Sequence, residues 1–123
     1  MAEHNDVGRW GEVIAREYLL VNGYTIAAEN FKIGRVEVDI IAYKDAAICF
    51  VEVKTRTDSD YDPADAVDAK KRQRLVRAAD TWVRAMEIKH EPQFDIILIT
   101  GTPDDYRLEH IPDAFFPSLN NLV

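Results

Sequence analysis

Asp39, Glu52 and Lys54 are the residues whose types and spacing are best suited to chemistry. They lie in VEVDIIAYKDAAICFVEVKTR, residues 36–56, where side chains alternate with a period of two on either side of a short polar break. The alternation predicts two antiparallel strands joined by a tight turn centred on Asp45-Ala46. Glu37, Asp39, Ile41 and Tyr43 would share a face of the first strand, and Ile48, Phe50, Glu52 and Lys54 a face of the second. Equal distance from the turn sets Asp39 opposite Glu52 and Glu37 opposite Lys54, with Cβ atoms about 4.5–5.5 Å apart. Three carboxylates and one ammonium would then meet at one end of an otherwise apolar hairpin.

Two bare carboxylates side by side repel, and a half-buried sheet solvates neither well. A shared proton, a lysine counter-charge or a divalent cation relieves the conflict. An all-oxygen ligand set favours a hard ion such as Mg2+, which takes one or two carboxylates and leaves its other positions to water and substrate phosphate. A lysine two residues beyond a ligand points to the same side of the sheet, where it can orient an attacking water. The competing reading is a cross-strand salt bridge with a spare acid at a solvated edge, which is ordinary in antiparallel sheets.

Positioning these residues falls to the elements on either side. Asn5 or Asp6 can cap a helix in which Trp10, Val13, Ile14, Tyr18 and Val21 recur at helical spacing, and Asn22-Gly23 ends it. Gly8 and Gly11 each cost a helix up to about 1 kcal/mol against alanine, so either something approaches that face closely or the helix start frays. Residues 24–30 read as a strand and 31–35 as a turn. Residues 57–68 form a polar loop with five aspartates, either a solvated linker or a flap. Asp68 can cap a second helix over residues 69–89. Plotted at about 100° per residue, its Leu75, Val76, Ala79, Trp82, Val83 and Met86 fall on one side, and Lys70, Arg74, Arg77 and Arg84 on the other. Cations in the first turns oppose the helix dipole by a few tenths of a kcal/mol each, so the stripe is either a solvated face or one shaped by an anionic partner. Residues 93–100 form an apolar strand suited to the interior of a sheet, and 106–111 an edge strand. Residues 112–123 either pack Phe115 and Phe116 or trail as a tail.

At 123 residues, with 47% hydrophobic and 30% charged residues, the chain is expected to form one domain with a real core. Its core would span about residues 5–111. No apolar run is long enough to span a bilayer, and the N-terminus lacks the basic-then-apolar pattern of a signal peptide. Cys49, the one cysteine, can form neither an internal disulfide nor a thiolate zinc site, so a core role and a cytoplasmic address are expected. His4, His90 and His110 show no metal-binding spacing, and no nucleophilic triad or phosphate-cradling glycine loop can be assembled. Net charge is −7, which argues against indiscriminate coating of nucleic acid. Residues 70–89 nevertheless hold seven cations against two acids, or +5, leaving eight cations and twenty acids, or −12, elsewhere. An acidic body with one basic helix fits directed contact with phosphate.

The order helix, three strands, helix, two strands, with a carboxylate on the second strand and E-x-K on the third, resembles the PD-(D/E)xK nuclease superfamily. More closely, the chain resembles the bacterial YraN family, similar to archaeal Holliday-junction resolvases. The likeness runs from Gly8 to Phe115. It rests on Gly11-Glu12 and Gly23-Tyr24, VEVDIIA at 36–42, FVEVKTR at 50–56, DPADAV at 62–67, KKRQRL at 70–75, FDIILI at 94–99 and LEHIPDAF at 108–115. It implies an α/β restriction-endonuclease-like fold, a mixed central sheet flanked by helices in the order αβββαββ. It implies Asp39 and Glu52 as metal-binding acids with the Val53 carbonyl, Lys54 as the catalytic lysine, and Glu12 as a helix carboxylate brought to the same site. Glu37 matches the glutamate of the family's G-E-I-D, with Val36 standing where glycine is usual.

The function expected from these residues and this resemblance is a Mg2+- or Mn2+-dependent endonuclease acting on DNA, branched or flapped forms included, with RNA compatible with the same chemistry. Lys70, Lys71, Arg74 and Arg77, with Arg56 beside the acidic hairpin, would grip phosphates. Resolvases work as dimers, so the resemblance also raises a homodimer. The alternatives are a nucleic-acid-binding or partner-recruiting module on a nuclease fold, and an interaction protein whose acidic cluster is incidental.

Overall fold

A computed structural model describes residues 2–57 and 69–115. The Asp45-Ala46 break closes as a two-residue hairpin turn, with Asp45 in the left-handed region at φ 53°. It joins β2 (Val36–Lys44) to β3 (Ala47–Arg56) in the register that equal spacing predicted, from Lys44 opposite Ala47 to Ile40 opposite Val51. Before this hairpin come α1 (Ala2–Val21) and β1 (Thr25–Ile33), and after it α2 (Ala69–Ala85), β4 (Glu91–Thr102) and β5 (Asp105–Phe115). The five strands form one mixed sheet in the order β1-β2-β3-β4-β5. Neighbours are antiparallel except β3 and β4, which are parallel and connected through α2. This is the α/β order αβββαββ expected from the sequence.

Alternation along β3 divides its side chains between two layers. Ile48 and Phe50 join Val38, Ile41, Phe94 and Ile96 beneath Leu75, Val76 and Ala79 of α2. Cys49 and Val51 join Ile40, Ala42, Ile97 and Ile99 beneath Ala15 and Leu19 of α1. Burying each of these larger aliphatic side chains contributes about 1.5–3 kcal/mol, so both helices are held by packing more than by propensity. Among the described residues, neither helix is long and apolar enough to cross a membrane.

Several expected boundaries move, each for a local reason. The first helix starts at Ala2, so Asn5 and Asp6 lie within it and do not cap it. Its buried stripe is Gly11, Ala15 and Leu19, with Trp10, Ile14 and Tyr18 partly covered, whereas Val21 is 85% exposed and Val13 also faces outward. Small residues sit deepest because the helix lies close against β3: a Cβ on Gly11 would overlap Thr55 Oγ1. The helix ends as the Asn22-Gly23 signal predicts. Gly23 takes φ 89°, and its N–H and that of Tyr24 donate to the carbonyls of Leu20 and Leu19. The turn expected over 31–35 shrinks to Gly34-Arg35, because Phe31 pairs with Val38 and sets its ring against Trp82. Helix α2 stops at Ala85, not at residue 89, where Ile88 N–H donates to the Val83 carbonyl and Glu87 takes a positive φ of 54°. Met86 is therefore exposed. The edge strand runs on through residues 112–115 because Phe115 pairs with Phe94. The loop expected over 57–68, its Asp68 cap and the tail from residue 116 lie outside the described residues, apart from Thr57, which is exposed.

Candidate active site

The ladder between β2 and β3 stops at Ile40 and Val51. Beyond that point β2 stays paired with β1, Glu37 opposite Lys32 and Val36 opposite Ile33. Strand β3 instead stays paired with β4 as far as Arg56 opposite Thr100. The two strands therefore fork within the sheet, and the fork falls at the acidic residues. Alternation breaks there too: Val38 and Ile41 both pack under α2, while Ile40 packs under α1. A valine at position 36 suits this strand, where it packs against the α2 cluster.

Asp39 and Glu52, the next opposed pair after the last rung, meet in the fork. Asp39 Oδ2 accepts a 2.8 Å hydrogen bond from the Val53 N–H, and its charge acts on the Glu52 carboxyl. Glu52 is only 3% exposed. Burial, then the facing charge of Asp39, push its carboxyl well above the usual range, against a smaller downward pull from Lys71. Lys71 Nζ of α2 stands 3.5 Å from Glu52 Oε2. The other oxygen, Oε1, is buried without a hydrogen-bond donor. An orphaned carboxylate oxygen beside a second carboxylate is the donor chemistry that a hard cation fits. Among the described residues no three His, Cys, Asp or Glu side chains converge on one metal position, so such an ion would keep few protein ligands.

Glu12 reaches the same region from α1. Burial raises its carboxyl pKa first, a hydrogen bond with the Asn30 side chain opposes this, and the charges of Asp39 and Glu37 raise it further. Lys54 is exposed on β3, two residues past Glu52. The expected Glu37–Lys54 pairing does not form, and no ion pair joins the two. Strand β2 has already turned away to β1 at that point, and Glu37 is exposed there. Arg56 is half-buried at the end of β3. Lys70, Arg74 and Arg77 project from α2 as an exposed basic face, while Arg84 is engaged with Asp80 at 3.1 Å. Lys71 departs from the expected phosphate-facing stripe, since it is turned onto Glu52.

A second polar group lies on the opposite face, beneath α1. Asp95 is fully buried in β4. It accepts hydrogen bonds from Gln93 Nε2 at 3.0 Å, from the Asp113 N–H at 3.2 Å and from His110 Nε2 at 2.7 Å. The other ring nitrogen of His110, Nδ1, lies 3.0 Å from the Tyr18 hydroxyl, the direction of that bond following the tautomer. In the sequence His110 shows only the lack of a metal-binding spacing, and Asp95 belongs to no motif with a catalytic role. The signal available was one acid inside an otherwise apolar strand, which demands buried partners. Two grooves, of about 280 Å3 beside the Lys44–Ala47 turn and about 320 Å3 between α1 and β5, are lined by none of Asp39, Glu52 and Lys54.

The sequence profile of the uncharacterised protein family UPF0102 matches residues 11–99, which include Glu12, Asp39, Glu52 and Lys54. A UPF0102 protein of Bacteroides fragilis is 44% identical over 120 residues, covering 97% of this chain and 99% of its own. One from Bacteroides thetaiotaomicron is 42% identical with the same coverage. One from Parabacteroides distasonis is 44% identical over 117 residues, 94% of this chain and 97% of its own. With a profile spanning most of the chain and relatives matching it almost end to end, the protein belongs to the UPF0102 family, the YraN family to which its motifs pointed.

Proposed function

We propose that this protein is a metal-dependent endonuclease that hydrolyses DNA phosphodiester bonds, with branched or flapped DNA as the substrate class. The observation that carries the proposal is the meeting of Asp39 and Glu52 where β2 and β3 part, with Glu52 Oε1 buried and lacking a donor. In this reading Asp39, Glu52 and the Val53 carbonyl hold Mg2+ or Mn2+, and Glu12 orients bound water. The ion, when bound, supplies Lewis-acid polarisation of a phosphoryl oxygen and a water of lowered pKa. Lys54 orients the attacking water and offsets charge developing on the phosphoryl oxygens. Its exposure on the face shared with Glu52 leaves it accessible to a phosphate. Lys70, Arg74 and Arg77 hold flanking phosphates, which position the duplex without reading its sequence.

A cleavage assay on duplex, single-stranded, flap and four-way DNA tests the proposal, paired with thermal melts with and without Mg2+ or Mn2+. A cation that binds the native state raises the melting temperature by mass action, and Asp39→Ala is expected to abolish that rise. Lys54→Ala is expected to lower single-turnover cleavage about 10²–10³-fold with DNA binding retained. Absence of both product and metal-induced stabilisation would sink the proposal. A second reading has its own observation in the Lys71–Glu52 ion pair, a counter-charge already supplied by the chain. A binding module that does not cut would use it permanently, and its DNA affinity would survive Glu52→Ala.

A further inference from the structure

Lys71 is the one cation of the 70–77 basic run that an ion pair ties to a site carboxylate, among the described residues. Its ammonium lies 3.5 Å from Glu52 Oε2, long for a charge-assisted hydrogen bond. Its side chain remains 45% exposed where that of Glu52 is 4%. The lysine end of the pair is thus open to solvent where the glutamate end is not. It springs from the first turns of α2, one residue from Lys70 and three from Arg74, both exposed. An outward rotation of one flexible side chain would take it from the acidic fork to the phosphate-facing edge.

Resting on the metal-site reading above, we infer that Lys71 is a placeholder that competes with the divalent cation for Glu52. The ammonium and the cation both offset the Asp39/Glu52 pair, and as like charges they disfavour each other at one carboxylate. Cation binding therefore turns Lys71 outward, where it adds a phosphate contact beside Lys70 and Arg74. Metal binding and DNA binding become linked through a single side chain, and the linkage is reciprocal.

The test is a metal titration of the folded protein, read by melting temperature and calorimetry with Mg2+ or Mn2+ alone. Mildly alkaline buffer keeps proton competition for the same oxygens low. Lys71→Met is expected to tighten the cation about tenfold, while Lys71→Arg, which keeps the charge, and Lys70→Met, which removes a neighbouring charge not paired with Glu52, stay near wild type. A second readout is the salt dependence of binding to a short duplex in a Lys54→Ala background, which keeps the strand whole. There Lys71→Met is expected to lower the slope by about one with the cation present and leave it unchanged in EDTA. Unaltered metal affinity in Lys71→Met, or equal tightening in Lys70→Met, overturns the inference while the metal site stands. Failure of wild type and Lys71→Met alike to bind either cation overturns the metal site and the inference together.

Discussion

A carboxyl as buried as that of Glu52, facing Asp39, keeps its proton far more readily in the folded chain than in the unfolded one. The sign of the pH dependence follows. Between the ordinary value of 4.5 and the raised value near 8, the native state holds more protons than the unfolded state, so stability falls as pH rises. This contribution is fully present below 4.5 and is lost as pH climbs through the raised value. Without divalent cation, the melting temperature is expected to drop by roughly 5 °C or more across that window. Glu52→Gln, neutral at every pH, should flatten the drop, and saturating Mg2+ should offset it most at the alkaline end, where the oxygens are free of protons. A melt series from acid to alkaline pH checks all three curves. A wild-type profile as flat as that of Glu52→Gln would mean that the two acids do not repel in a buried fork.

Helix α1 matters to the fork because it carries Glu12, and how it docks decides where that carboxyl lies. Gly11 removes the side chain that would collide with Thr55 Oγ1, and Tyr18, one turn and a half after Glu12, ties the helix through His110 to Asp95 of β4. Helix propensity alone predicts that Gly11→Ala stabilises by up to about 1 kcal/mol, but overpacking against β3 costs about 1–3 kcal/mol. A lower melting temperature and weaker cleavage are expected for Gly11→Ala, with recovery on adding Thr55→Ala. Stabilisation by the single change would show that the helix does not sit tightly there. The glycine could be flagged from sequence as out of place in a helix, but not the strand residue that requires it, because that contact spans more than forty positions. The same limit governs the rest. Asp39 and Glu52 could be paired because a two-residue turn and period-two alternation are local rules. The fork that breaks the Glu37–Lys54 pairing could not, because it depends on β2 and β3 taking different partners, β1 and β4. Lys71 shows this most plainly: its place in the basic run groups it with the expected phosphate-gripping cations, and only the approach of β3 gives it a carboxylate.

Charge segregation is a property of the whole molecule, and it decides which surface an acidic protein can offer to DNA. The chain carries −7 overall, so its long-range field repels a polyanion, and in the proposed reading attraction comes from the exposed face of α2 within about a Debye length, some 8–10 Å. Lys70, Arg74 and Arg77 lie there, on the helix whose opposite side packs over Phe50 and Ile48 of β3, the strand that also bears Glu52 and Lys54. Each phosphate contact releases condensed counterions, so removing one cation lowers the slope of log affinity against log salt by about one. Arg74→Ala combined with Arg77→Ala is expected to lower that slope by about two and to weaken binding equally for unrelated sequences, since these groups meet phosphate and not base edges. The melting temperature should change little, because both side chains are exposed and neither belongs to the packed face of α2. Binding curves for two unrelated duplexes at several salt concentrations measure both quantities. An unchanged slope in the double variant would move the DNA-binding face off α2 and leave the acidic fork without a partner surface.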